Sequence, residues 1–208
     1  MTSEEDSIED VVKILLYLYG VVMGLALTTS IGLTVTPHGV ALSPFEVNAQ
    51  DLALFGALFV TIVPFYHGAS VYMLSTYKNR NFPVKRGAPL VDFFTLSVEG
   101  VVFYAMASSI HDIDSFIVWF IVLLVIDLIW YGFTYFKARE PQAPAPRWWA
   151  IFNGATVLIL IVLSSISVEA FVRVHALLFA VAIIRTVLDY SLCYSYYFPS
   201  SKKSEGGS

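Results

Sequence analysis

The chain has 208 residues, 57% of them hydrophobic and 13% charged, with a mean hydropathy of +0.72 and a formal net charge of −4. A soluble domain carries about a quarter charged residues, so this composition excludes one and points to a membrane protein. The single cysteine, Cys193, excludes an intrachain disulfide and a cysteine-held zinc or iron–sulfur cluster, and no basic stripe offers a surface for nucleic acid.

Apolar runs of about 20 residues mark membrane-crossing helices. Six are predicted, at roughly 11–35, 51–77, 91–110, 116–137, 149–168 and 172–198. The expected fold is therefore all-α, a polytopic membrane protein with six transmembrane helices. Residues 1–10 form an acidic segment, 11–198 a single six-helix transmembrane domain, and 199–208 a flexible tail. The intervening segments are too short to bury a core of their own.

The first ten residues hold Glu4, Glu5, Asp6, Glu9 and Asp10 and no Lys or Arg. That is the reverse of a signal-peptide start, so the first helix is expected to stay in the mature protein. This helix carries Gly20 and Gly24, a G-x-x-x-G pair with Gly32 two turns on. Small residues at this spacing permit close helix contact, within one chain or in a homo-oligomer. Residues 36–50, with Pro37 and Pro44 and only Glu46 charged, are expected on the outer surface or partly re-entrant.

The second helix contains "VPFYHGASVY". Pro64 cannot donate a backbone hydrogen bond and is expected to kink it, while Gly68 allows a neighbouring backbone to approach. His67 lies between them, either bonded to a nearby carboxylate or free to titrate near neutrality. The third helix carries Glu99 and the fourth Asp127. The 138–148 loop, "AREPQAPAPRW", has three prolines and is expected to be extended. Asn153 lies about one turn into the fifth helix. The last apolar run ends in "IIRTVLDYSLCYSYYF", with Arg185 and Asp189 one turn apart on one face.

Lys and Arg in short loops set membrane orientation. Lys78, Arg80, Lys85, Arg86, Lys137, Arg139, Arg147, Lys202 and Lys203 fall on one side, and Arg173 alone on the other. Both termini are expected in the cytoplasm, in a plasma (inner) membrane. With that orientation, His67, Glu99, Asp127, Asn153, Arg185 and Asp189 all lie between the midplane and the cytoplasmic face, though they come from five helices. A charge at the bilayer centre costs roughly 2.5–3.5 kcal/mol on insertion scales, so these groups are expected to face inward and pair. One arginine cannot neutralise three carboxyls. Protons, a charged His67, water or a cation must close the balance. The plainer alternative is an ion-pair network that serves only as interhelical glue.

The even-numbered helices all end in aromatic clusters. Tyr66, Tyr131 and Tyr190 each lie near an ionisable group, at His67, Asp127 and Asp189, which suggests three related hairpins. These tyrosines are expected to bond the acids or line a cavity. Tyr194, Tyr196 and Tyr197 are assigned to the aromatic belt at the membrane surface. Serines at 107–109 and 163–167 lack a partnered base and read as packing residues.

His67 is the only histidine well inside a span, so a bis-histidine haem and a three-histidine zinc site are excluded at that depth. No mid-membrane lysine, Gly-rich phosphate loop or H-E-x-x-H is present. No cofactor, metal site or catalytic residue is assigned. The pattern favours transport or ion or proton conduction in the lipid bilayer, with a proton or small cation as the partner. The binding or transport residues would be His67, Glu99, Asp127, Arg185, Asp189, Tyr66, Tyr131, Tyr190 and Asn153. The alternatives are an intramembrane enzyme acting on a lipid-like substrate and a sensor or partner subunit with a structural polar network.

Overall fold

The six apolar runs form six long helices, the last of them followed by a short turn of helix. The computed structural model describes residues 3–35, 47–78, 88–137, 147–165 and 171–198. The long helices are α1 (Ser3–Val35), α2 (Ala49–Lys78), α3 (Ala88–Ser108), α4 (Ile113–Lys137), α5 (Arg147–Ser164) and α6 (Phe171–Leu192). All six are long and apolar enough to cross a membrane, and the described residues contain no strand. Runs such as "IVLLVI" in α4 would suit a buried strand in water. In lipid every backbone N–H and C=O must be satisfied within the segment, so the same residues coil. The expectations for most of the 36–50 segment, for the basic loops and for the tail fall outside the described residues, as does His38.

The helices pack in a ring. In order of contact it runs α1, α3, α4, α5, α6, α2 and back to α1, with α2 also touching α3 across the ring. The interior is filled by Tyr19, Leu54, Leu58, Met73, Phe103, Met106, Phe116 and Phe120, all fully buried. The outer face is just as apolar, with Tyr17, Phe94, Val101, Leu158 and Val162 all largely exposed. In water such a surface would aggregate, and in a bilayer it meets acyl chains.

Most hydroxyls in the spans are satisfied by their own helix. Thr28, Thr34, Thr61, Ser70 and Thr156 each donate to the carbonyl four residues back. Ser108, Ser109, Ser164 and Ser165 also bond carbonyls of their own helices, which fits their reading as packing residues.

Pro64 lies inside α2, which continues through it. Without an N–H it leaves the Val60 carbonyl unpaired. The Thr186 hydroxyl of α6 donates to that carbonyl at 3.1 Å. A neighbouring helix thus restores the bond that proline removes, as membrane interiors require. The same bond fixes α6 against α2 one residue from Arg185.

The sixth apolar run is not one helix. It breaks after Leu192, and Cys193 (φ −104°, ψ 18°) leads into the short turn α7, Tyr194–Tyr197. The helical bond from Cys193 N–H to the Asp189 carbonyl survives, and the Tyr196 and Tyr197 N–H groups both bond the Cys193 carbonyl. α7 packs on α2 and α6.

The G-x-x-x-G pair of α1 is split in use. Gly20 lies under the Tyr66 ring, while a Cβ at Gly24 or Gly32 would meet nothing within 4 Å. At the bundle end formed by the α3–α4 turn, Asp112 caps α4. It accepts from the Asp114 and Ser115 N–H groups and from the Ser115 hydroxyl at 2.6 Å. These donors hold its carboxyl below the usual aspartate range. Beside it, His111 Nδ1 meets Asp51 of α2 at 3.0 Å.

Candidate polar site

The ionisable residues of the spans converge inside the ring. Glu99, Asp127, Asn153, Arg185 and Asp189 are all buried, and none is more than 3% exposed. Each sits on a helix whose inward residues are mostly apolar, so burial is set by the helix face rather than by local polarity. Their end of the bundle is also marked by a Tyr77–Asp92 hydrogen bond of 2.5 Å between α2 and α3, and by the packed rings of Tyr72, Trp130 and Trp149.

Asn153 is the hub. Its amide N–H donates to Asp127 Oδ2, and its amide oxygen accepts from Arg185 Nε at 3.0 Å and Nη2 at 2.6 Å. The chain Asp127–Asn153–Arg185 therefore ties α4, α5 and α6 together. The expected direct pairing of Arg185 with the acids is not formed. Among the described residues the ion pairs are those of Lys13 with Glu9 and Asp10 and of His111 with Asp51. The physical reason is geometric. An amide offers an acceptor and a donor at once, and so spans two charged groups on different helices. The guanidinium also lies 5.0 Å from the centroid of the Phe65 ring, which stabilises its charge without accepting a hydrogen bond.

Asp189 faces the break in α6. Its Oδ2 accepts from the Tyr197 hydroxyl at 2.9 Å. Tyr197 is 4% exposed and belongs to the site, which corrects its assignment to the surface belt. The break at Cys193 turns the tyrosine back over the bundle instead of letting it continue toward the interface. The Tyr196 hydroxyl is buried as well, within electrostatic reach of both Asp127 and Asp189. Tyr194 stays exposed, in keeping with the belt.

His67 shares one hydrogen bond with the Tyr190 hydroxyl, 3.1 Å from Nδ1. Its ring packs on Tyr197 at 4.9 Å between centroids and on Phe198 at 5.6 Å. Gly68 is small enough that even a Cβ there would sit 3.5 Å from the Tyr197 hydroxyl, so the α7 turn rests on the α2 backbone.

The other end of the cluster lies between α1 and α3. The Tyr19 hydroxyl donates to Glu99 Oε2 at 3.4 Å, a long and weak bond. Glu99 in turn lies within electrostatic reach of Asp127. Tyr66 stands apart from the acids and stacks on Tyr19 with centroids 5.8 Å apart. Tyr131 is half-buried on α4. Tyr66 and Tyr190 thus have different kinds of partner, as three equivalent hairpins would not give.

Among the described residues, three buried polar atoms have no hydrogen-bond partner: Arg185 Nη1, Asp189 Oδ1 and the Tyr196 hydroxyl. Tyr19, Tyr196, Tyr197 and Phe65 are functional candidates that the sequence did not single out. A phenol deep in a span requires a partner, and that signal could have found Tyr19. The metal-ligating side chains do not gather three at a time anywhere among the described residues. The end of the bundle away from the cluster is not wholly apolar, since His175 is buried near the start of α6.

Comparison with family models, with curated proteins and with solved structures finds no match to this chain.

Proposed function

We propose that this integral membrane protein moves protons through its buried polar cluster, as a transporter or a conductor. The observation that carries the reading is the surplus of acid. Glu99, Asp127 and Asp189 are all buried inside the ring, with one buried guanidinium among the described residues, Arg185. A buried charge left unbalanced is prohibitive, so protons must bind and leave for the cluster to change state. Phenols flank two of the acids at hydrogen-bond distance, through Tyr197 on Asp189 and Tyr19 on Glu99, and a third phenol, Tyr190, meets His67. A relay needs groups of this kind. A dehydrated metal cation would instead need several oxygen ligands on one point.

The orientation follows from the loop charges: both termini face the cytoplasm and the cluster lies in the cytoplasmic half of a plasma or inner membrane. Labelling of a cysteine introduced at Ser204 in intact and opened cells tests it. Labelling in intact cells by an impermeant maleimide overturns the orientation.

The function is tested with purified protein in liposomes holding a pH-sensitive dye, under a potassium diffusion potential. Wild type is expected to acidify or alkalinise the lumen faster than empty vesicles, and Asp127→Asn and Asp189→Asn to abolish the excess while still assembling. If wild type does no better than empty vesicles under either sign of potential or pH gradient, the proposal fails.

A further inference from the structure

Asp189 is 1% exposed, and what covers it is unlike the rest of the bundle. Among the described residues, the elements around the cluster are long helices except one, the single turn α7. It is hung on Cys193, whose φ of −104° and ψ of 18° leave the helical path of α6. The Cys193 N–H keeps its bond to the Asp189 carbonyl, and the Cys193 carbonyl receives the Tyr196 and Tyr197 N–H groups. The backbone is thus bonded on both sides of the break and free of helical continuity at the break itself. Such element-terminal residues are where hinges absorb a change of direction.

Three contacts hold the turn down. The Tyr197 hydroxyl donates to Asp189 Oδ2 at 2.9 Å. The Tyr197 ring packs against His67 and Tyr190, with centroids 4.9 and 4.7 Å away. The Phe198 ring lies edge-on to His67 at 5.6 Å. The 3.1 Å contact between His67 Nδ1 and the Tyr190 hydroxyl braces the surface on which these rings rest. Of the three contacts, the hydroxyl bond alone depends on the charge of Asp189, because an ionised acceptor binds a donor about twice as strongly as a neutral one. The outer side of the turn, Tyr194 and Phe198, is exposed. A released Tyr197 would join them at the membrane surface, where a phenol is well accommodated, so lifting the turn costs little beyond these contacts.

We infer that α7 is a hinged lid over Asp189, pivoting at Cys193 and latched by the Tyr197 hydroxyl, and that neutralising Asp189 releases it. The titratable and charged groups facing Asp189 come from four elements. They are Arg185 and Tyr190 on α6, the Cys193 thiol at the break, Tyr196 and Tyr197 of α7, His67 of α2, which is charged only if protonated, and Asp127 of α4. The thiol lies against the carboxyl at the pivot and is uncovered when the turn lifts. A proton bound by Asp189 turns the acceptor of the latch neutral and weakens it; loss of that proton restores the latch. The lid stands on this geometry. That its opening lets a proton leave the cluster rests on the proton-moving reading.

The test is amide hydrogen exchange of the full chain in lipid nanodiscs at one pH, read on residues 194–198 with residues 176–189 of α6 as the internal reference. Wild type is compared with Tyr197→Phe, which keeps the ring and removes the latch, and with Asp189→Asn, which keeps the shape and removes the charge. Cys193 is the chain's only cysteine and is buried, so its labelling by a water-soluble maleimide in wild type and Tyr197→Phe reports access to the pivot. Both variants are expected to exchange about tenfold faster in the turn with the reference unchanged, as loss or weakening of one bond to a charged group gives. Cys193 of Tyr197→Phe is expected to label about tenfold faster than that of wild type. Turn exchange in Tyr197→Phe at the wild-type rate overturns the latch. Equal acceleration of the turn and the reference means that the whole bundle loosens, and overturns the lid. Faster exchange without faster labelling is fraying that uncovers nothing, and overturns it too. Asp189→Asn at the wild-type rate overturns control by charge; should that variant not assemble, wild-type turn exchange that stays level with the reference as pH is lowered, after correction for the chemical rate, overturns it instead. Wild type without proton flux overturns the proposed function, and exchange and labelling still decide the lid.

Discussion

Replacing Asn153 by leucine removes the amide that joins α4 to α6 and leaves the volume of the side chain nearly unchanged. The substitution deletes three hydrogen bonds, one to Asp127 and two from Arg185, all between buried groups. Interhelical hydrogen bonds in membranes average about 0.6 kcal/mol each, which sets a lower figure of about 2 kcal/mol. Hydrogen bonds to charged groups contribute about 1.5 kcal/mol or more, which raises the figure to about 4 kcal/mol if none is replaced. A loss of about 2–4 kcal/mol is expected, read by equilibrium unfolding in mixed micelles. Leu158→Ala is the control, because Leu158 is 67% exposed and meets only lipid. Asn153→Asp should lose less than leucine, since a carboxylate still accepts both guanidinium bonds, although it faces Asp127. If Asn153→Leu shifts stability by no more than the Leu158 control, the hub does not hold these helices together and the reasoning fails.

Thr186→Val removes the hydroxyl that bonds the Val60 carbonyl freed by Pro64. It should cost about 1 kcal/mol in the same assay, and Pro64→Ala, which lets the helix supply its own bond, should make Thr186→Val nearly neutral. A Cβ at Gly100 would lie 2.6 Å from Val22 Cγ1, so Gly100→Ala should destabilise by about 1–3 kcal/mol as α1 and α3 are forced apart. Gly24→Ala meets nothing and should stabilise slightly through helix propensity; a loss there instead would reveal a contact made only between copies. Asp112 is an N-cap whose carboxyl is held below its ordinary value of 3.8 by the Ser115 and Asp114 donors. A depressed folded value means that the cap contributes above the unfolded value and is lost as pH falls through the folded one. Asp112→Ala should therefore cost about 1 kcal/mol at neutral pH, and wild type and variant should converge in acid.

The six helices were legible because lipid leaves the backbone few options, and hydrophobic length alone then fixes the segments. Pro64 was legible as a break in bonding, but not its repair, because Thr186 is 122 positions away in a different helix. The identities of Glu99, Asp127, Asn153, Arg185 and Asp189 could be read from the cost of placing them in a span. Their pairing could not. The i, i+4 spacing of Arg185 and Asp189 suggested a direct ion pair, and the alternative depended on where α5 delivers Asn153, which is a matter of helix rotation. Tyr197 was misplaced for a related reason. Nothing at Cys193 marks a helix end, since the glycine and proline signals are absent there and Pro199 comes six residues later. A continuous helix would have carried the tyrosine outward, whereas the break carries it onto Asp189.

Under the proposed proton movement, the way Arg185 is used has a reason that helix packing alone does not supply. A network serving only to hold helices would minimise unsatisfied groups, and the cheapest solution is on α6 itself, where Arg185 and Asp189 are spaced to pair. The guanidinium is instead drawn aside to Asn153 and laid against Phe65. That choice leaves Nη1 and Oδ1 without a hydrogen-bond partner among the described residues, and Asp189 without an arginine ion pair. Each open atom costs free energy that a direct pair would recover. Stability alone gives no reason to retain this arrangement. A carboxyl that must take and release a proton gives one, because a tight arginine contact would hold it ionised. Arg185→Met separates the two views. If the arginine is only glue, the protein loses stability and flux falls with the folded fraction. If it sets the charge of the site, flux per folded protein should change as well, because the cluster loses its one guanidinium.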